Sequence, residues 1–146
     1  MRAGSSLSDL AKQRHAVVTG SSSGIGLAIS SALVGAGWRV TGLDIAPMTV
    51  VHASFRSMAV DLSDGPAVTG VAKTLTDADA LVHAAGVLRV GNAGAMDIAG
   101  GNLMWQLHVD AATRLVDVLM PKMAARGNGR VVLIGSRVAS GMAGRS

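Results

Sequence analysis

Three glycines frame the chemistry open to this chain. In the run Val17-Val18-Thr19-Gly20-Ser21-Ser22-Ser23-Gly24-Ile25-Gly26-Leu27-Ala28, an apolar stretch passes through a glycine-rich turn into a helical pattern. Such a turn needs unusual dihedrals, a main chain that can approach an anion, and a helix lying close against the preceding strand. The unpaired amides at the start of that helix then face the pyrophosphate of a dinucleotide. Ser22 and Ser23 stand where hydroxyls can cap those amides or bond phosphate oxygens. Gly20, Ser22, Ser23, Gly24, Ile25 and Gly26 are therefore the candidate phosphate-binding residues. Leu27 occupies the position at which a nucleoside-triphosphate loop requires lysine, so that reading fails.

Asp44 follows about 20 residues beyond the turn, where a carboxylate accepts hydrogen bonds from the adenosine ribose hydroxyls and repels a 2'-phosphate. This favours NAD over NADP. Ser23 before Gly24 and Ile45 after Asp44 agree, because neither supplies the positive charge a 2'-phosphate needs. The competing reading makes Asp44 a solvated strand-end residue. Asp61 has a plain role beside its functional one, since aspartate also caps a turn such as Ser63-Asp64-Gly65. Ser136 ends an apolar run on the side of a parallel sheet where ligands gather. Serine there also simply turns the chain, and Ser140 offers a second hydroxyl nearby. Local sequence offers Ser136 no histidine and carboxylate partners, so a hydrolytic triad is not supported. His15, His52, His83 and His108 fall on separate elements without ligand-pair spacing, and no metal site is expected.

The elements that must position these residues alternate along the chain. Strands are expected over 15–19, 38–43, 56–60, 79–84 and 130–135. Between the first two, Ile25, Ala28, Ile29, Ala32 and Leu33 recur at helical spacing, giving a helix over 24–35 stopped by Gly35 and Gly37. Gly65-Pro66 opens a second helix reaching about Leu75. A glycine-dotted loop over 86–101 precedes a long helix over 102–125, in which Pro121 is expected to kink or shorten the last turn. Gly127-Asn128-Gly129 makes the next turn. Alternation of this kind gives right-handed crossovers and an α/β fold with a doubly wound parallel sheet of Rossmann type.

Composition narrows the remaining classes. The chain has 146 residues, 49% hydrophobic and 15% charged, which is too apolar for disorder and suits one domain with a real core. The absence of cysteine excludes disulfides, thiolate metal sites and a cysteine nucleophile, and accords with a reducing compartment. No signal-peptide pattern opens the sequence and no run reaches the length of a membrane span, so a cytoplasmic protein with no membrane partner is expected. The net charge of +4 is scattered, and one Phe, two Trp and no Tyr cannot build a stacking platform, so nucleic acid is not an expected partner.

Four ordered motifs make the chain resemble the N-terminal part of a short-chain dehydrogenase/reductase. Thr19-Gly20-Ser21-Ser22-Ser23-Gly24-Ile25-Gly26 matches that family's T-G-x-x-x-G-x-G turn, and Asp61-Leu62 occupies the place where the family contacts adenine. His83-Ala84-Ala85-Gly86 resembles its N-N-A-G strand end, and Ile134-Gly135-Ser136 the strand carrying its catalytic serine. The run Ala84-Ala85-Gly86-Val87-Leu88-Arg89, with the short loop after Asp44, is similar to dihydrodiol dehydrogenases such as that for 2,3-dihydro-2,3-dihydroxybenzoate.

The resemblance implies hydride transfer between a nicotinamide cofactor and a small carbonyl or alcohol substrate. In the family a tyrosine moves the proton, a lysine lowers its pKa, a serine bonds the substrate oxygen and an asparagine positions a relay water. Ser136 matches the serine. His108 falls where the asparagine is kept, as either a water-positioning residue or a histidine with no catalytic part, and a titrating group of pKa about 6.5 would add pH dependence. His83 replaces the first asparagine of N-N-A-G, holding strand ends or lying near the cofactor. The chain contains no tyrosine, and the family's Y-x-x-x-K, counted from Ser136, falls beyond Ser146. The expectation is a single NAD(P)-binding domain over 1–146, incomplete at its C-terminal end in the loop 141–146 and inactive alone. The fifth strand would then be an exposed apolar edge. A homodimer or homotetramer through the long helix is expected of the intact parent, with Leu103, Leu107, Leu115, Val118 and Leu119 too many for one narrow stripe. The alternative is a dinucleotide-binding or redox-sensing module without turnover.

Overall fold

The computed structural model describes residues 13–136. Five parallel strands, β1 (His15–Thr19), β2 (Arg39–Asp44), β3 (Phe55–Ala59), β4 (Ala80–His83) and β5 (Arg130–Leu133), form one sheet in the order β3-β2-β1-β4-β5. β1 lies in the middle, and the chain leaves it first toward β2 and β3 and later toward β4 and β5. The carboxyl ends of β1 and β4 therefore flank the point at which the winding reverses, where open α/β sheets bind ligands. The expected strands are all present, each within a residue or two of the expected bounds.

Alternation along the strands separates two cores. Ala16, Val18, Val40, Ala80 and Val82 face helix α1 (Gly24–Gly35), with Ile29, Leu33 and Trp38 packed against them. Val17, Leu43 and Leu81 face the other side and join Val68, Ala72, Leu115, Leu119 and Met123. Those last five come from helices α2 (Gly65–Lys73) and α4 (Ala111–Ala125). Asp64 caps α2 by accepting from the Ala67 amide at 3.1 Å, and Pro66 sits in its first turn, where no amide is needed.

Helix α1 spans the expected residues, and the expected start of the long helix is corrected. The side of α1 that is buried is Gly26, Ser30 and Val34, four residues apart, while Ile25, Ala28 and Ala32 are exposed. Of the five periodic apolar residues, Ile29 and Leu33 pack against the core, because the close packing required at Gly26 turns the Gly26, Ser30 and Val34 side toward the sheet. The long helix begins earlier than 102. Helix α3 (Ile98–Trp105) starts where the Asp97 carboxylate accepts from the Gly100 amide at 2.8 Å, a cap ahead of two helix-unfriendly glycines. A π-turn at Gln106–Asp110 then joins α3 to α4, the Ala111 amide reaching back five residues to the Gln106 carbonyl. α4 runs through Pro121 to Ala125, so the proline does not shorten it.

β5 is the sheet's exposed edge, as its position in the order requires. Val131, Val132, Leu133 and Ile134 are 38%, 46%, 57% and 40% exposed, an apolar row of the kind that folded proteins normally cover or break with charge. Ser140 and the loop 141–146 lie outside the described residues.

At the opposite end of the strands, a polar knot ties β1 to β2 and to the loop before β4. His15 is buried, its Nδ1 3.1 Å from Asp77 Oδ1 and its Nε2 2.8 Å from Thr41 Oγ1. Arg39 bonds the other Asp77 oxygen, and Arg14 stacks over Trp38 at 4.5 Å. Burial lowers the His15 pKa, helped by the Arg39 charge, and the Asp77 carboxylate only partly opposes them. The folded chain thus favours neutral His15, whose contribution to stability is complete above the unfolded value of about 6.5 and is lost as pH falls through the lower folded value. Urea midpoints measured from pH 8 to 5 should hold steady at the upper end and decline below pH 6.5; a midpoint that rises on acidification would contradict this.

Candidate functional site

The glycine turn closes at the head of β1. Gly20 adopts φ +67°, donates its amide to the Leu43 carbonyl at 2.9 Å, and lies so near β4 that an added Cβ would stand 2.9 Å from Ala85 Cα. Gly24 also has positive φ, +52°. A Cβ on Gly26 would overlap the Gly20 carbonyl, so α1 rests directly on the turn. These positions require glycine for different reasons, two for backbone conformation and one for space.

Around the turn the polar side chains divide their work. Ser23 is the first residue of the α1 cap in extended conformation, and its hydroxyl makes no cap bond, which leaves the amides of the first helical turn to another acceptor. Ser22 is buried and committed elsewhere: its amide donates to Asp44 Oδ2 at 2.9 Å and its hydroxyl to the Ala46 carbonyl at 3.2 Å. Asp44 Oδ1 accepts from the Ala46 amide at 2.9 Å, so the carboxylate is fixed by one amide on each oxygen and retains further acceptor capacity. Its orientation is thus set before any ligand arrives.

β4 is bonded to β1 through the Thr19 hydroxyl. Thr19 Oγ1 accepts from the amides of Ala84 and Ala85, both at 3.0 Å, and lies 3.0 Å from His83 Nδ1. His83 Nε2 is 2.9 Å from the Leu107 carbonyl in the π-turn. Burial lowers the His83 pKa, the bond to Leu107 works against it, and the nearby His108 adds to the lowering. Burial thus favours neutral His83, bonded between Thr19 and the π-turn.

A cleft of about 350 Å³ lies over these elements, lined by Gly20, Ser23, Asp44, Asp61, Leu62, Ala85 and Gly86 among the expected residues. Ile45, Val60, Ser63, Val87, Leu103 and Leu107 complete its walls. Asp61 lines the cleft, and its Oδ1 accepts from the Ser63 hydroxyl at 2.7 Å and the Ser63 amide at 2.9 Å. Those bonds, the hydroxyl first, hold the Asp61 carboxyl below its ordinary pKa. The Asp-x-Ser spacing was a legible turn signal for Ser63. Leu103 and Leu107 were legible as helical spacing, but not as cleft wall.

Other expected residues stand outside the lining. Ile25 is 58% exposed on the first turn of α1. His108 Nε2 is 3.0 Å from both the amide and the carbonyl of Val87, so the ring pins the loop after β4 to the helix in either tautomer, accepting from one or donating to the other. An added Cβ on Gly86 would lie 2.7 Å from that nitrogen. Ser136 follows β5 at the carboxyl end of the sheet, on the same side as the cleft. Among the described residues no three His, Cys, Asp or Glu side chains gather as metal ligands, and no helix is long and apolar enough to cross a membrane.

The sequence profile described as short chain dehydrogenase matches residues 14–145. The chain belongs to the short-chain dehydrogenase family. The 2,3-dihydro-2,3-dihydroxybenzoate dehydrogenase of Escherichia coli (strain K12) is 32% identical over 126 residues, 84% of this chain and 50% of that protein. A short chain dehydrogenase of Aspergillus calidoustus is 30% identical over 140 residues, 88% of this chain and 53% of its own length. Among solved structures, a 3-oxoacyl (acyl-carrier-protein) reductase of Agrobacterium tumefaciens C58 with NADP bound superposes with TM-score 0.74 and 30% identity, over 84% of this chain and 52% of that one. This short-chain dehydrogenase chain thus spans about half the length of the curated relatives it matches, and it holds the N-terminal part of the fold.

The glycine contacts generate a paired test of the turn. Gly26→Ala forces the Gly20 peptide to move and should cost about 3 kcal/mol, the upper end for overpacking. Gly35→Ala, at the last position of α1 with open space around it, should stabilise the chain by up to about 0.8 kcal/mol. Urea denaturation of both variants measures the difference; equal effects would mean the turn tolerates displacement.

Proposed function

We propose that this chain is the cofactor-binding part of an NAD-dependent oxidoreductase, which transfers hydride between nicotinamide and a carbonyl or alcohol carbon. The observation that carries the reading is the cleft at the reversal of the sheet, with uncapped α1 amides at one point of its rim and a prefixed Asp44 carboxylate beside them. A dinucleotide fits this donor set: amides of the turn and of α1 for the pyrophosphate, with the Ser23 hydroxyl beside them, and Asp44 for the adenosine ribose. Asp61 and Leu62 border the space toward adenine, while Ala85, Gly86 and Val87 border the space toward nicotinamide. When bound, the nicotinamide supplies or takes the hydride.

In this reading the chain's own residues bind and orient. Gly20 and Gly86 line the cleft, and their missing side chains let the β4 exit approach the turn and the His108 ring approach the loop after β4. Leu103 and Leu107 give it a dry wall. Ser136 bonds the substrate oxygen at the carboxyl end of β5, and His108 orders the loop against which the nicotinamide would lie, so that it acts through Val87. The sequence holds no tyrosine to move the proton, and we read this 146-residue chain as binding dinucleotide without turnover. The exposed residues Trp105, Val109 and Met120, on one helical face, support a homodimer or homotetramer of the complete protein, in the cytoplasm.

NAD over NADP rests on the charge of Asp44, against a background in which a structural relative carries NADP. Calorimetric titration of the chain should show NAD binding more tightly than NADP, with no reduction of NAD in the presence of candidate alcohols. Asp44→Asn keeps the side chain's size while removing the repulsion, and should shift the NAD to NADP affinity ratio by about tenfold toward NADP, which is about 1.4 kcal/mol. Tighter NADP binding by the unsubstituted chain would overturn the preference, and absence of binding to either would overturn the reading.

A further inference from the structure

His83 occupies a position of greater consequence than a buried strand-end residue, because of what Thr19 must do with its one proton. The Thr19 oxygen has two lone pairs, and the amides of Ala84 and Ala85 use both. Its proton therefore points at His83 Nδ1, which has to be unprotonated to receive it. The imidazole proton then sits on Nε2 and is donated to the Leu107 carbonyl. One tautomer alone satisfies every partner. Both side chains are buried, Thr19 at 0% and His83 at 4% exposure, so water cannot substitute for a lost bond.

A second proton on the ring would break this arrangement. Nδ1–H would face the Thr19 hydroxyl while both lone pairs of that oxygen are taken, so Thr19 would have to release the amide of Ala84 or Ala85, or the ring would have to withdraw from Leu107. Each of these partners touches the cleft or its support. Thr19 leads directly into the glycine turn, Ala85 is on the floor and Leu107 is in the wall.

We propose that His83 is a pH-operated positioning residue: as a neutral imidazole it joins turn, floor and wall of the cleft in one rigid unit, and its protonation loosens that unit and weakens dinucleotide binding. The weakening of binding rests on the dinucleotide reading given above; the latch itself does not. Among the described residues, the surroundings add no carboxylate to hold a charged ring. β1 presents the Thr19 hydroxyl, and β5 presents its backbone, the Ile134 amide donating to the His83 carbonyl at 3.0 Å. The π-turn presents the Leu107 carbonyl and the His108 ring, whose own charge would repel a second one. Asp110, the acid on that segment, is bonded to Arg114 at 2.7 Å. Burial and His108 accordingly push His83 below the ordinary histidine value, against the Leu107 bond. The latch is closed at neutral pH and opens as pH falls through that lowered value, which is the sign required of a group neutral in the tight state.

The test uses the chain at pH 7.5 and pH 5.0 with three readouts. Nitrogen-15 NMR of the imidazole should show the Nε2–H tautomer at neutral pH and a titration below that of an exposed histidine. Hydrogen exchange, corrected for its intrinsic pH dependence, should show protection of the Ala84 and Ala85 amides falling about tenfold at pH 5.0. NAD affinity should fall about tenfold over the same interval, and His83→Asn, which cannot titrate, should flatten that dependence. An Nδ1–H tautomer at neutral pH, unchanged protection of the two amides, or a pH slope that survives in His83→Asn would each overturn the proposal. If the tautomer and the protection behave as expected but NAD binds at neither pH, the latch stands and the dinucleotide reading is the part that fails.

Discussion

Everything at this site depends on a contact that only the absence of a side chain allows. Gly26 lies on the Gly20 carbonyl, and that proximity sets the angle at which α1 leaves the turn. With the helix so placed, its first amides point over the carboxyl end of β1, and the side that carries Gly26 also lays Ser30 and Val34 on the sheet. The contact also explains why α1 buries Gly26, Ser30 and Val34 and leaves Ile25 exposed. A helix displaced outward by one methyl group would lose the turn geometry and the packing together.

Asp44 and Thr19 extend this order to both sides of β1. Asp44 binds the turn to the loop after β2, and Thr19 binds the head of β1 to the exit of β4. The sheet brings strand ends within reach of one another, but main-chain ladders stop where the strands stop. Beyond that point the alignment is made by side chains accepting from main-chain amides. Such bonds are worth more in a buried setting than at the surface, and they fix groups that a ligand would otherwise have to order on arrival.

The sequence made the sheet legible because β-period alternation and turn residues are local signals. Val17 and Val18 on opposite faces, Gly65-Pro66 at a helix start and Gly127-Asn128-Gly129 before β5 all read directly. The turn was legible for the same reason, since each glycine there answers a local requirement. What escaped reading was tertiary. Nothing within the run from Gly86 to Gly101 outweighs its glycines until Asp97 caps the helix, so local sequence puts the start of α3 too late. Ser22 reads as a phosphate ligand by position, yet its partners lie on β2 and beyond, more than 20 residues away. His108 reads as a site residue and lies against the site, but its bond to Val87 depends on a loop whose course no periodicity encodes.

The π-turn carries a geometric consequence for the apolar row Leu103, Leu107, Ala111, Leu115, Leu119 and Met123. These residues are spaced strictly by four, and in an uninterrupted α-helix each step of four advances the azimuth by about 40°, so such a row spirals away from any flat surface. The wider turn at Gln106–Asp110 winds fewer degrees per residue and sets the phase back between the two halves. One row can then serve as cleft wall at its beginning and as hydrophobic core from Ala111 onward. Deleting a single residue there would leave both helices intact and rotate one against the other by about 100°, separating the wall from the core without breaking either.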